Sequence, residues 1–341
     1  MLRTPRPTAT SERAKPINPN AKSLSCTRPP NEALADPTMH IYRWDLDRTY
    51  LDSAIHGVRA LLRSAWEPAA MKRTLPGAST LLRGLIASDP SAQVTILSGS
   101  PTQMRPVIEE KLRMDGVRVD KLILKDNLRN LKAGRLRAIR EQIGYKLPIL
   151  LEERAKVDAC HRESLFGDDA ESDALIYVAY ADVIAGRLDA AGLDDVLKQG
   201  GAYPDQRQRA ADAAGRLKLV DAVDHIFIRL DHGRPEQHFA PLGSRLTLVF
   251  HWLQAALVLH RDGRLRLPAL EALLDETRLD LGPAAVEGLV ADAVRRGLVR
   301  PEDLESTTAF VGLSPGIPRF ALEAMAQTKP DYRLFLRSLK S

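Results

Sequence analysis

From Met39 onward, short continuous apolar runs alternate with longer stretches whose apolar positions return at helical spacing. The runs 41–44, 93–97, 119–124, 164–166 and 223–230 read as strands. Segments 53–64, 78–87, 102–114, 135–143, 147–154, 174–188 and 206–217 carry the helical period. Strands that alternate with helices in this way predict an α/β fold: a Rossmann-like parallel sheet covered by helices on both faces. Such a sheet binds ligands at the carboxyl ends of its strands. From about residue 233 the strand-like runs stop. Amphipathic stretches at 246–259, 267–277, 283–296 and 319–326 then predict an all-helical C-terminal domain. The expected organisation is a tail over 1–38, an α/β domain over 39–232 and a helical domain over 233–341.

Composition changes this picture mainly at the N-terminus. Residues 1–38 hold seven of the 22 prolines and show neither period, as expected of a disordered segment. Met39, standing just before the first apolar run, is an alternative translation start. The formal charge of +5 is concentrated in this tail, which carries six Lys/Arg against three Asp/Glu, so the remainder stands at only +2 and nucleic-acid binding is not expected. Cys26 and Cys160 are too few and too far apart for a disulfide framework. No apolar run reaches the roughly 18 to 20 residues of a membrane span, and the first residues lack a secretory apolar region. A cytoplasmic protein is the expectation.

Candidate chemistry gathers where the strands end. Trp44-Asp45-Leu46-Asp47-Arg48-Thr49 places two carboxylates two residues apart as the chain leaves the first strand. Such a pair suits phosphoryl transfer, with Asp45 as nucleophile and Asp47 as general acid/base. Two negative charges facing a phosphate demand Mg²⁺ and a cationic side chain. Ser98 ends the second strand, with Ser100 and Pro101 suited to the N-cap and first turn of the next helix. There the Ser98 hydroxyl can bind a phosphoryl oxygen. Lys125, Lys132 and Lys146 are candidate cations, and Lys146 is favoured because it opens an apolar-periodic helix shortly before the next strand. Gly167-Asp168-Asp169-Ala170-Glu171-Ser172-Asp173 adds an acidic loop in which one of Asp168 and Asp173 binds Mg²⁺ while the other orients it or the lysine. The candidate metal set is thus Asp45, Asp47, Asp168 and Asp173.

In their order along the chain these motifs resemble the haloacid-dehalogenase superfamily. Within it they are similar to the catalytic domain of the actin-patch-associated phosphatidate phosphatases. The resemblance spans about residues 39 to 232 and includes Leu75-Pro76-Gly77-Ala78, Ser98-Gly99-Ser100-Pro101 and the stretch from Gly167 to Tyr177. It implies that Asp45 is nucleophile and metal ligand, that Asp47 contributes its backbone carbonyl to Mg²⁺, that Asp168 is the remaining metal ligand, and that Ser98 and Lys146 hold the phosphoryl group. Arg48 and Gly99 depart from the branch, which commonly has an acidic residue and an asparagine there. The first gap, about 25 residues before Leu75, leaves room for at most a small cap, which suits a large or interfacial phosphate ester such as phosphatidate. The alternative is a non-catalytic scaffold of the same fold whose helical domain binds a partner protein. A nucleotide-sugar transferase, which also uses D-x-D with a divalent ion, leaves Lys146 and Asp168 unexplained. His225, His232, His238, His251 and His260 lack zinc-site spacing.

Overall fold

The computed structural model describes residues 38–52, 68–126, 142–170, 172–231, 234–308 and 330–339. The tail, the helix expected at 53–64, nearly all of that at 135–143, the one at 319–326, and Lys132 and His232 lie outside these residues.

Six strands form one parallel sheet: β1 (His40–Trp44), β2 (Gln93–Pro101), β3 (Lys121–Lys125), β4 (Arg162–Asp168), β5 (Val223–Arg229) and β6 (Leu246–Val249). Their order is β3-β2-β1-β4-β5-β6, a Rossmann-like arrangement in which the direction of winding reverses between β1 and β4. In sheets of this kind ligands bind at the carboxyl ends of the strands beside that reversal.

Side-chain alternation divides the strands between two cores. Tyr42 and Trp44 of β1, Val94 and Ile96 of β2 and Phe166 of β4 face one apolar cluster, while Leu97, Leu165, Ile226 and Ile228 face the other. The first cluster is covered by α1 (Ala78–Ser88), α2 (Arg105–Met114), α7 (Trp252–Arg261), α8 (Leu267–Leu281) and α9 (Pro283–Arg295). Helices α3 (Ile143–Arg154), α4 (Asp173–Ile184), α5 (Ala190–Gln199), α6 (Pro204–Ala214) and α10 (Tyr332–Ser338) cover the second. Helix α4 is buried along its whole length, which explains why it lacks a polar face.

Two expectations are corrected. The run 246–259, read as one helix, is strand β6 followed by helix α7, with β6 pairing Leu246 to Val249 against Ile226 to Arg229 of β5. A continuous apolar run fits a buried strand and a buried helix equally; here His251 divides it by capping α7, its Nδ1 accepting from the Leu253 N–H at 3.1 Å. The boundary expected near residue 233 therefore falls inside the sheet, between β5 and β6. Second, β2 runs through Pro101, so Ser100 belongs to the strand and does not cap a helix, while Pro101 ends the strand and stands at the N-cap of a short 3₁₀ turn, Thr102–Met104.

The helices beyond β6 pack directly on the first strand. Trp252 lies 5.1 Å from the Trp44 ring and 5.8 Å from that of Phe166, and its indole N–H donates to the Thr49 carbonyl at 3.0 Å. Helices α1 and α8 approach closely at Gly84, where a Cβ would meet that of Ala269 at 2.9 Å. Among the described residues no helix is long and apolar enough to cross a membrane.

Candidate active site

The site is assembled on the ends of β1 and β4. The backbone N–H of Asp45 donates to the Phe166 carbonyl at 2.9 Å, which continues the parallel ladder one residue beyond β1 and fixes where Asp45 emerges. The chain then turns sharply: the amides of Tyr50 and Leu51 both donate to the Leu46 carbonyl, and that of Arg48 to the Leu51 carbonyl at 2.7 Å. Arg48 adopts φ 61°, the left-handed region that side chains other than Asn, Asp and Gly occupy at a cost. The turn brings Thr49 back beneath the strand ends, where its hydroxyl donates to Asp168 Oδ2 at 3.3 Å.

Lys146 stands in the first turn of α3, fully buried. Its ammonium donates to Asp45 Oδ1 and to Asp173 Oδ1, each at 2.6 Å. An ammonium removed from water needs such partners. Asp45, Asp168 and Asp173 are all buried, and one carboxylate oxygen from each lies within 4.8 Å of the others. Three carboxylates gather around this ammonium, and among the described residues Asp173 Oδ2 is buried with no hydrogen-bond partner. A bound cation would suit both features. Oxygens around a Mg²⁺ ion sit about 2.1 Å from it and so at most about 4.2 Å apart, which these side chains reach by small adjustments. The all-oxygen donor set favours a hard ion such as Mg²⁺, Mn²⁺ or Ca²⁺.

Gly167 makes this crowding possible. A Cβ there would come within 2.7 Å of Asp173 Cβ and Oδ2 and 2.9 Å of the Tyr177 ring. Space, and no special backbone angle, is what the glycine supplies. Tyr177 donates to the Phe166 carbonyl at 3.2 Å. Burial, then the negative field of Asp173, pushes its phenol well above the usual tyrosine range, so it remains a neutral donor.

Asp47 is placed differently from the other carboxylates. Its side chain is not part of the acidic cluster; Oδ2 accepts from the Ser98 hydroxyl at 3.1 Å and from the Ser100 hydroxyl at 2.7 Å. The Ser100 amide in turn donates to Ser98 Oγ at 2.9 Å. Of the candidate metal set, the structure thus brings together the carboxylates of Asp45, Asp168 and Asp173 and directs that of Asp47 towards the serines. Of the candidate lysines, Lys146 joins the cluster. Lys125, buried at the end of β3, lies with its ammonium 5.1 Å from the Tyr145 ring centroid.

Two contributors were hidden in the sequence. Asp169, inside the acidic loop, is buried and accepts from the Asp231 amide at 2.9 Å, tying the loop after β4 to the one after β5. Ser100 holds Asp47. The only sequence signal for either was position, one residue after Asp168 and two after Ser98. No family model, curated protein or solved structure matches this chain.

Proposed function

We propose that this chain is a Mg²⁺-dependent phosphomonoester hydrolase of the haloacid-dehalogenase type that works through an aspartyl-phosphate on Asp45. The observation that carries this reading is Lys146 bridging Asp45 and Asp173, with Asp168 beside them, at the carboxyl ends of β1 and β4. Asp45 and Asp168, with Asp173 adjoining, would hold the metal, which offsets the charge of the phosphoryl oxygens when bound.

In the proposed reaction Asp45 attacks phosphorus, the ester P–O bond breaks, and Asp47 gives its proton to the departing oxygen. Asp47 then takes a proton from water, whose oxygen attacks phosphorus and frees Asp45 and phosphate. Lys146 keeps the nucleophile oriented and offers positive charge to the phosphoryl group. The proposed substrates are large or interfacial phosphate esters, phosphatidate among them, on the strength of the family resemblance and the short first gap.

The test is Mg²⁺-dependent phosphate release from an aryl phosphate, phosphatidate in detergent micelles, phosphopeptides and end-phosphorylated oligonucleotides. Release that disappears with a chelator and in Asp45→Asn is the expected result. A folded wild type that frees phosphate from none of them overturns the reading in favour of a non-catalytic scaffold.

A further inference from the structure

A serine hydroxyl carries one hydrogen. Ser98 gives it to Asp47 and therefore cannot offer it to a phosphoryl oxygen at the same time. If Ser98 turns to the ligand, Asp47 loses one of the two donors on Oδ2, and the other decides whether the carboxyl stays in place. Resting on the phosphotransfer reading above, we propose that Ser100 is a positioning residue that holds Asp47 in proton-transfer geometry while the Ser98 hydroxyl engages the substrate.

The arrangement suits that division. Ser98 and Ser100 flank Gly99 at the end of β2, where the pairing with β3 shifts register, and both hydroxyls converge on Asp47 Oδ2. Pro101 follows in extended conformation, φ −68° and ψ 147°, which stiffens the strand where Ser100 stands. Ser100 is buried and makes the shorter of the two contacts, 2.7 Å against 3.1 Å. Its amide occupies a lone pair of Ser98 Oγ whichever way the Ser98 hydrogen points.

Leaving-group dependence separates this role from a purely structural one. A 4-nitrophenolate departs without protonation, whereas an alkoxide needs the acid. Ser100→Ala is expected to lower kcat/KM about thirtyfold on an alkyl phosphate and about threefold on 4-nitrophenyl phosphate, with Asp47→Asn giving the same asymmetry more deeply. Ser100→Thr, which keeps the hydroxyl, is expected to restore most of the alkyl-phosphate activity. Should Ser100→Ala fail to fold, Ser100→Cys, with its weak donor, carries the same comparison. Equal losses on the two esters, or none on the alkyl ester, overturn the inference alone. A wild type inactive on both esters and on the phosphatidate, phosphopeptides and end-phosphorylated oligonucleotides above overturns the phosphohydrolase reading and the inference with it.

Discussion

Strands β1 and β4 carry two buried ionic groups within a few residues of each other, and they are built on opposite plans. Glu163 accepts from Arg43 through two bonds of 2.8 Å, from Arg154 at 3.2 Å and from the Tyr180 hydroxyl at 2.6 Å. Arg154 spends further donors on the Ala159 and His161 carbonyls. Burial pushes the Glu163 carboxyl up, but the fields of Arg43 and Arg154 and the bonds from Arg43 and Tyr180 overcome it and hold it near 2. At the carboxyl ends of the same strands, Asp45 and Asp173 share the Lys146 ammonium with Asp168 beside them, and among the described residues Asp173 Oδ2 is left with no hydrogen-bond partner. The first group has cations and donors to spare for its single acid. The second gathers three acids in one buried place and leaves one of their oxygens open. A buried network that is satisfied internally locks strand to strand; one held short of balance is poised for something from outside.

Paired substitutions test this contrast most severely. Glu163→Gln strands two buried guanidinium groups without their counter-charge and is expected to cost about 3 to 5 kcal/mol in denaturant unfolding. Asp173→Asn leaves Asp45 to pair the Lys146 ammonium and is expected to stay within about 1 kcal/mol of the wild type while phosphate release falls about 100-fold. Similar stability losses in the two variants would erase the distinction.

Acidification gives the next effect. Burial first, then the field of Arg264, lowers His40 to about 4, and burial with the field of Arg229 does the same for His251. Below the ordinary histidine value of 6.5 the unfolded chain takes up protons that the folded chain refuses, so stability falls as pH drops from about 6.5 to about 4, by at most about 3 kcal/mol per histidine. Glu163 acts in a lower window: its contribution is complete above its ordinary value of 4.5 and is lost as pH falls towards 2. Denaturant midpoints measured across pH are expected to show the two windows in succession, with His40→Asn flattening the upper one. A midpoint unchanged between pH 6.5 and 4 would contradict the histidine assignment.

The smallest effect concerns the turn after β1. Among the described residues Arg48 is the one non-glycine residue with positive φ, so local strain lies on the side of the acidic site and none of it under Glu163. Arg48→Asn is expected to raise the unfolding free energy by about 0.5 kcal/mol, because asparagine tolerates the left-handed region better. A loss of stability would show that contacts of the arginine side chain outweigh the strain.

The site was more legible in the sequence than the network, for a physical reason. Asp45, Lys146, Asp168 and Asp173 all follow or closely precede apolar runs, and strand ends in a parallel sheet converge on one edge, so their meeting could be argued from order alone. Arg43 and Glu163 sit inside strands, where a charged residue reads as an interruption until its partner on the adjacent strand is known. Ser100 reads as a helix cap because Ser-Pro commonly begins a helix; only the pairing of Pro101 with Lys125 reveals that the strand continues.

By itself the sequence determined the alternation of strands and helices, the parallel sheet that follows from it, and the set of acidic, hydroxyl and amine groups available at its carboxyl edge. These depend on local periodicity and on residue chemistry, which each segment carries with it. Tertiary structure decided that residues 246–249 form a sixth strand, that Trp252 seals the first, that Asp173 shares Lys146 with Asp45, and that Asp47 is held by two serines. Each of these depends on which distant segment fills the neighbouring space, and an apolar run or a lone serine carries no record of its partner until the chain has closed around it.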